Sequence, residues 1–313
     1  MRQRLFALSL LLFVGIFVLA GCGSTTSSGP KKIKVIGLTV QAISNPFFVA
    51  IQNGAQAEAK KIGATVDLQD ANHDIGRQSD QMDNFIQKRV DLILLNAVDS
   101  AGIAPAVKRA VDAGIPVVAV DVGANGGVAA TVASDNVDAG RQACKYMADR
   151  LKGQGKIAIV DGPPVTAVID RVKGCKEVLA QNPGLKVVST QVGTGDRDKG
   201  LEIGTGILTA NPKLDAVFAI NDPTALGVEL AAKQAKRSDF FIVAVDGSPD
   251  AVTSLQSKGL FVATSAQSPY TLATTAVQIG EKAVAGEKIT NPNVTVPVTL
   301  VTQDNVASYK GWK

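Results

Sequence analysis

Histidine is nearly missing from this chain: His73 is the only one in 313 residues. That excludes a histidine-rich zinc site and removes the commonest general base from hydrolytic mechanisms. Aromatic residues make up 4% of the sequence, and no cluster of lysine and arginine is interleaved with them. A nucleic-acid face is therefore excluded, since the formal charge of +4 is small and partly carried by Arg2 and Arg4 near the N-terminus. No phosphate-cradling Walker loop and no Gly-x-Ser-x-Gly elbow occur, and Cys144 has no neighbouring histidine to activate it. Gly193-Thr-Gly195-Asp-Arg-Asp198 begins like a dinucleotide fingerprint but lacks the third glycine. Asp70-Ala-Asn72-His-Asp74-Ile-Gly76 begins like a calcium loop, yet its glycine falls one place late and its twelfth position is Gln81. A surface loop is the expectation there. No cofactor, no metal and no enzymatic activity are expected.

Cysteine is also scarce, with three in the chain. The first closes an export signal: a basic head (Met1-Arg-Gln-Arg4), an apolar run from Leu5 to Leu19, then Leu19-Ala20-Gly21-Cys22. The run is shorter than the roughly 20 residues that a spanning helix needs, and a small-residue site follows it. Leu-Ala-Gly-Cys resembles the bacterial lipobox, which implies cleavage after residue 21 and lipidation of Cys22; an ordinary signal peptide with a chance cysteine is the lesser alternative. Residues 22–31, rich in Gly, Ser and Thr, form a flexible tether. Cys144 and Cys175 remain, each on an expected helix. In an oxidising compartment they either pair or act as buried apolar thiols, and the spacing of the two helices decides which.

What is abundant is a β/α alternation. About 280 residues follow the tether, which points to two lobes. Apolar, β-branched runs are expected as strands at 33–40, 65–68, 91–95, 116–120, 157–160, 186–192, 216–220, 241–245 and 261–264. Between them lie helical patterns at 46–62, 76–89, 103–113, 142–149, 165–181, 199–210, 224–236 and 250–257. Strands without polar alternation are covered on both faces, so the sheets are parallel and the lobes are doubly wound α/β units. In such lobes ligands bind beyond the carboxyl ends of the strands. The residues found there are polar: Asn45, Asn96, Asp121, Asp161, Asn221-Asp222 and Asp246-Gly247. Taken one at a time they also read as helix caps or turn formers. Together they point to a binding crevice between two lobes.

Four segments in order carry a more specific resemblance: Ser44-Asn45-Pro46-Phe47-Phe48, Ala133-Ser134-Asp135-Asn136, Val217-Phe218 through Asn221-Asp222, and Val245-Asp246-Gly247-Ser-Pro249-Asp250. From about Lys34 to Val301 the chain resembles the ribose-binding protein family, the substrate-binding components of bacterial sugar ABC importers. The resemblance implies the two-lobe fold of a type I periplasmic binding protein, with three hinge crossings near Ser134–Asp135, Gln267–Ser268 and Val296. The lobes would be 32–134 plus 268–295 and 135–267 plus 296–313. It also implies ligand contacts. Asn45 and Asn221 would bond hydroxyls, Asp121 and Asp246 would accept from them, and Arg171 would donate a fork of bonds. Phe47 and Phe48 would offer apolar faces, Gln267 would touch both ligand and hinge, and Asn96 and Ser134 complete the expected set.

Two positions depart from the family's ribose binders. Val122 stands where they carry an arginine, and Gly195 stands where they carry an aromatic wall. Ribose is therefore disfavoured and a different carbohydrate or a polyol is expected. The implied role is that of an extracytoplasmic, membrane-anchored and monomeric lipoprotein that closes over its solute and delivers it to an ABC permease. A sensory receptor for a signal such as a furanosyl autoinducer is the alternative; a lipid-anchored glycoside-acting enzyme using Asp121 and Asp246 is a further one. Trp312, the only tryptophan, belongs either to a tail closing onto a lobe or to an exposed tail.

Overall fold

The computed structural model describes residues 31–312. The expected signal segment 1–21, Cys22 and the tether as far as Pro30 lie outside the described residues.

Two six-stranded sheets account for the strands. The first holds β1 (Val35–Val40), β2 (Thr65–Asp70), β3 (Leu92–Leu95), β4 (Val117–Val120), β5 (Ala130–Ser134) and β11 (Asn293–Val296). Its order is β2-β1-β3-β4-β5-β11 and every pairing is parallel. The second holds β6 (Gln154–Asp161), β7 (Gly184–Val192), β8 (Ala216–Ala219), β9 (Phe241–Asp246), β10 (Phe261–Ala266) and β12 (Thr299–Thr302) in the order β7-β6-β8-β9-β10-β12. Four of its pairings are parallel, and β12 closes the edge antiparallel to β10. Strand order reverses between β1 and β3 in one sheet and between β6 and β8 in the other. These are the switch points at which doubly wound sheets open a crevice.

The helices follow from local signals. α1 (Pro46–Lys61) starts with Asn45 accepting from the Phe47 N–H and with proline at its first turn. α2 (Ile75–Lys88) is capped by Asp74, which accepts from the Arg77 N–H, while Asp70 accepts from the Asn72 N–H. The 70–76 loop thus uses its acids to order its own backbone. α3 (Ala104–Asp112) covers the same face as α2. In the second lobe α4 (Asn136–Arg150) packs on α5 (Thr166–Gln181), and α6 (Arg197–Ala210) on α7 (Asp222–Gln234). α8 (Pro249–Gln256) follows β9, and α9 (Pro269–Val284) returns to the first lobe against α1.

The strands β5, β11 and β12 and the helix α9 are absent from the strands and helices expected from the sequence. β5 (ATVAS) is short and built of small residues, with buried and half-buried positions alternating, so it lacks a β-branched apolar run. α9 opens Pro-Tyr-Thr-Leu-Ala-Thr-Thr, whose threonines weaken the helical pattern. α4 begins six residues earlier than expected because Asp135 caps it, accepting from the Asp138 N–H.

The chain passes from the first sheet to the second after Ser134, back after Ala266 and across again after Val296. One apolar cluster fills the α1/α9 face of the first sheet, and another fills the α6/α7 face of the second. A third runs from Met82 and Phe85 in the first lobe to Cys144, Cys175 and Val243 in the second. Cys144 and Cys175 are joined in a disulfide, with Cα atoms 5.1 Å apart.

Candidate functional site

A cavity lies between the strand ends of both sheets, with about 50 Å³ of space open to water-sized atoms. One water needs roughly 10–15 Å³ on that measure, so the cavity is larger than a single solvent molecule requires. Of the ten expected residues, eight line it: Asn45, Phe47, Phe48, Asp121, Arg171, Asn221, Asp246 and Gln267. Asn96 and Ser134 do not. Asn96 sits one layer behind, donating Nδ2 to Asp121 Oδ2 at 3.0 Å and accepting from the Gln41 N–H at 3.2 Å. Ser134 is buried at the end of β5, with no partner for its Oγ among the described residues.

Local rules explain why the polar side chains face inward. Asp121 follows β4 with φ +70°, and Asp246 ends β9 with φ +139°. Positive φ is unfavourable for a residue with a Cβ and costs about 1–3 kcal/mol; here it turns each chain sharply at its strand end. Arg171 projects from α5. Its Nε donates to Asn136 Oδ1 at 2.9 Å and its Nη1 to the Ile220 carbonyl at 2.9 Å. Nη1 also lies 3.4 Å from Asp246 Oδ1, with both side chains almost fully buried. Gln267, on the second crossing, donates Nε2 to the same Oδ1 at 2.7 Å. The asparagines serve two purposes. Asn45 Oδ1 caps α1 and Asn221 Oδ1 caps α7, while Asn221 Nδ2 donates to the Gly195 carbonyl at 2.8 Å.

The electrostatics are dominated by burial. Desolvation pushes the Asp121 carboxyl up to about 7, with Arg171 pulling it down, Asp246 raising it and the Asn96 hydrogen bond lowering it. Asp246 is likewise raised by burial against the pull of Arg171. Asp222, behind it, is raised by burial and by the charge of Asp246; it accepts from the Ser248 N–H at 2.7 Å and from Thr264 Oγ1 at 2.6 Å. Two acceptor atoms at the cavity, Asp121 Oδ1 and Gln267 Oε1, are buried with no protein donor among the described residues. Such atoms are costly unless a donor reaches them, so the site is built to receive hydroxyl or N–H groups.

Phe47 and Phe48 meet edge to face, ring centroids 5.6 Å apart, and belong both to the first lobe's core and to the cavity wall. Val122 and Gly195 also line the cavity. Gly195 has φ +84°, and a Cβ there would sit 3.4 Å from Asn221 Nδ2. Sequence reasoning missed Gln41 and Thr194, which follow β1 and β7 and were findable by the strand-end rule, and it left His73 as a plain surface loop residue. It also gave Asp222 no place of its own. Direct hydrogen bonds cross between the lobes: the Gly123 N–H donates to Thr166 Oγ1 at 2.7 Å and the Thr166 N–H to Ser100 Oγ at 3.1 Å.

Two doubly wound lobes closed over a polar cavity define a solute-binding protein of the hinged, two-lobe class. Comparison with known proteins gives the family. The model of the periplasmic binding protein domain matches residues 36–288, and the chain belongs to that family, among the sugar-binding components of bacterial ABC importers. It is 36% identical over 306 residues to the ribose import binding protein of Bacillus subtilis, covering 95% of this chain and 99% of that protein. It is 33% identical over 292 residues to the xylitol-binding protein of Mycolicibacterium smegmatis, covering 92% and 82%. Among solved structures, an ABC transporter solute-binding protein from Bacillus halodurans with bound myo-inositol superposes with a TM-score of 0.83 at 29% identity, covering 90% of this chain and 99% of that one. The arabinose-binding component from a Shewanella species, bound to L-arabinofuranose, gives 0.82 at 31%, covering 88% and 94%. No helix among the described residues is long and apolar enough to cross a membrane.

Proposed function

We propose that this protein is a lipid-anchored, extracytoplasmic receptor that captures a small carbohydrate or polyol by hinge closure and hands it to an ABC permease. The observation that carries the reading is the pair of donorless acceptors, Asp121 Oδ1 and Gln267 Oε1, in a cavity that also presents Arg171 and Asp246. A polyhydroxylated solute supplies donors to the carboxylates and acceptors to the guanidinium at once. Phe47 and Phe48 then face its C–H surface. The lobes are taken as 32–134 plus 268–295 and 135–267 plus 296–313. Asn45, Phe47, Phe48 and Asp121 come from the first and Arg171, Asn221 and Asp246 from the second. Contacts made on both sides only in the closed form are what bias a hinge toward closure.

Ribose is not the expected cargo. Val122 brings no guanidinium and Gly195 no aromatic face, and a charge-assisted bond is worth about 1.5–3 kcal/mol. Cys22, freed by signal cleavage, would carry the lipid, and residues 22–31 would space the lobes from the membrane. The receptor acts as a monomer and turns nothing over.

The test is a thermal-shift screen of the chain from Gly23 onward against D-ribose, L-arabinose, D-allose, xylitol, myo-inositol and a furanosyl autoinducer. A ligand at 100 times its dissociation constant stabilises by about 2.7 kcal/mol. One strong sugar or polyol shift other than ribose is expected, with the ligand recovered unchanged after incubation. Strong ribose binding sinks the specificity argument. No shift across the panel removes the carbohydrate reading.

A further inference from the structure

The final stretch of the described chain touches both lobes. The short 3-10 turn Val306–Ser308 is seated on the second: Val306 is buried in a small cluster with Leu255, Ala266 and Val301. Tyr309 then donates its hydroxyl to the Gly247 carbonyl at 3.0 Å. Three residues on, Trp312 donates Nε1 to the neighbouring Asp246 carbonyl at 2.8 Å. That carbonyl also accepts from the Gln267 N–H at 2.8 Å. The indole ring, however, packs on the other lobe. It meets Phe47 edge to face, with centroids 5.6 Å apart and planes at 89°, and lies against the first lobe's apolar cluster. Phe47 and Asp246 both line the cavity, and Trp312 does not.

We propose that Trp312 is a positioning residue for ligand capture, a bracket that seats Phe47 of the first lobe against the Asp246 turn of the second when the hinge closes. Phe47 moves with α1 and Asp246 with β9, so opening must break either the edge-to-face contact or the indole hydrogen bond. Both interactions are favourable in their own right. The bracket therefore weights the equilibrium toward the closed form before any solute arrives. It also holds the carbonyl of a residue whose φ is +139°, which fixes the direction of the carboxyl group that follows from that backbone. Trp312 acts through Phe47 and Asp246, and not on the ligand.

The inference rests on the hinged two-lobe reading but not on the identity of the solute, so its test uses no sugar. Spin labels at Lys60→Cys on α1 and Lys233→Cys on α7, both exposed, report the separation of the lobes by pulsed EPR in the ligand-free protein. The parent is expected to show a short-distance, closed population. Trp312→Ala should lower that population at least about threefold, and Trp312→Phe, which keeps an aromatic edge but no N–H, should lower it less. Phe47→Leu, which leaves the indole bond in place, should reproduce the shift if Trp312→Ala fails to fold. Tyr309→Phe removes a bond internal to the second lobe and should leave the distances unchanged. Identical distributions in the parent and Trp312→Ala overturn the proposal, as does a parent that is wholly open. An equal shift in Tyr309→Phe overturns it too, because the tail would then act only as structural support.

Discussion

Asp121 shows how a single side chain is kept ready for a ligand at some cost to the protein. One oxygen has Asn96 as donor and the other has none among the described residues, and burial holds the carboxyl near pH 7. A group whose pKa is raised on folding stabilises the fold while protonated, and that stability disappears as pH rises through the folded pKa. Asp121→Asn removes the charge and nearly keeps the shape. The ligand-free variant is expected to melt higher than the parent at pH 8, with the difference vanishing near pH 5. Binding should weaken about 10- to 100-fold, the equivalent of one charge-assisted hydrogen bond. Melting curves at the two pH values and a titration with the best ligand of the screen check both halves. A variant that melts lower at pH 8 would show that the charge is better compensated than its surroundings indicate.

At the scale of elements, the α4–α5 pair carries Arg171 into the cavity. The helices touch at glycines: a Cβ on Gly140 would fall 1.9 Å from the Arg171 carbonyl, and one on Gly174 would fall 1.9 Å from the Val137 carbonyl. The disulfide ties the same two helices across 31 residues of sequence, and the Arg171 to Asn136 bond adds a polar link. Replacing both Cys144 and Cys175 with alanine should cost about 2–4 kcal/mol of stability, measured as a lowered urea midpoint. Since the glycine contacts persist, affinity for the ligand should fall less than threefold. A larger loss would mean that the disulfide, rather than the close approach of the helices, sets the position of Arg171.

At the scale of the whole molecule, three buried carboxyls govern the response to pH. Asp121, Asp222 and Asp246 are all raised by burial. The lowered carboxyls, such as Glu58 with Lys61 and Asp239 with Arg237, add stability above pH 4 and lose it only in acid. Between pH 5 and 8 the raised group prevails, so ligand-free stability should fall as pH rises. Hydroxyl donors from a bound solute favour the ionised carboxylates. Binding near pH 6.5 should therefore release protons, and affinity should increase toward pH 8. Calorimetry in buffers of different ionisation enthalpy reads this directly; heats that do not depend on the buffer would rule the coupling out.

The sequence by itself determined the β/α alternation, the parallel sheets and most of the strand-end polar residues. These features are local: burial on both faces dictates an apolar β-branched run, and a chain leaving such a strand needs a capping or turning residue. β5 and α9 were illegible for the same reason, since small residues and threonines blur the local pattern. The tertiary structure alone decided which strand ends meet. It put Asn96 behind Asp121 rather than on the cavity wall. It also brought Trp312 between Phe47 and Asp246, residues far apart in sequence and on different lobes. Periodicity along one element carries no information about what another lobe presses against it. The raised carboxyls likewise arise from burial, which the folded structure and not the local sequence sets.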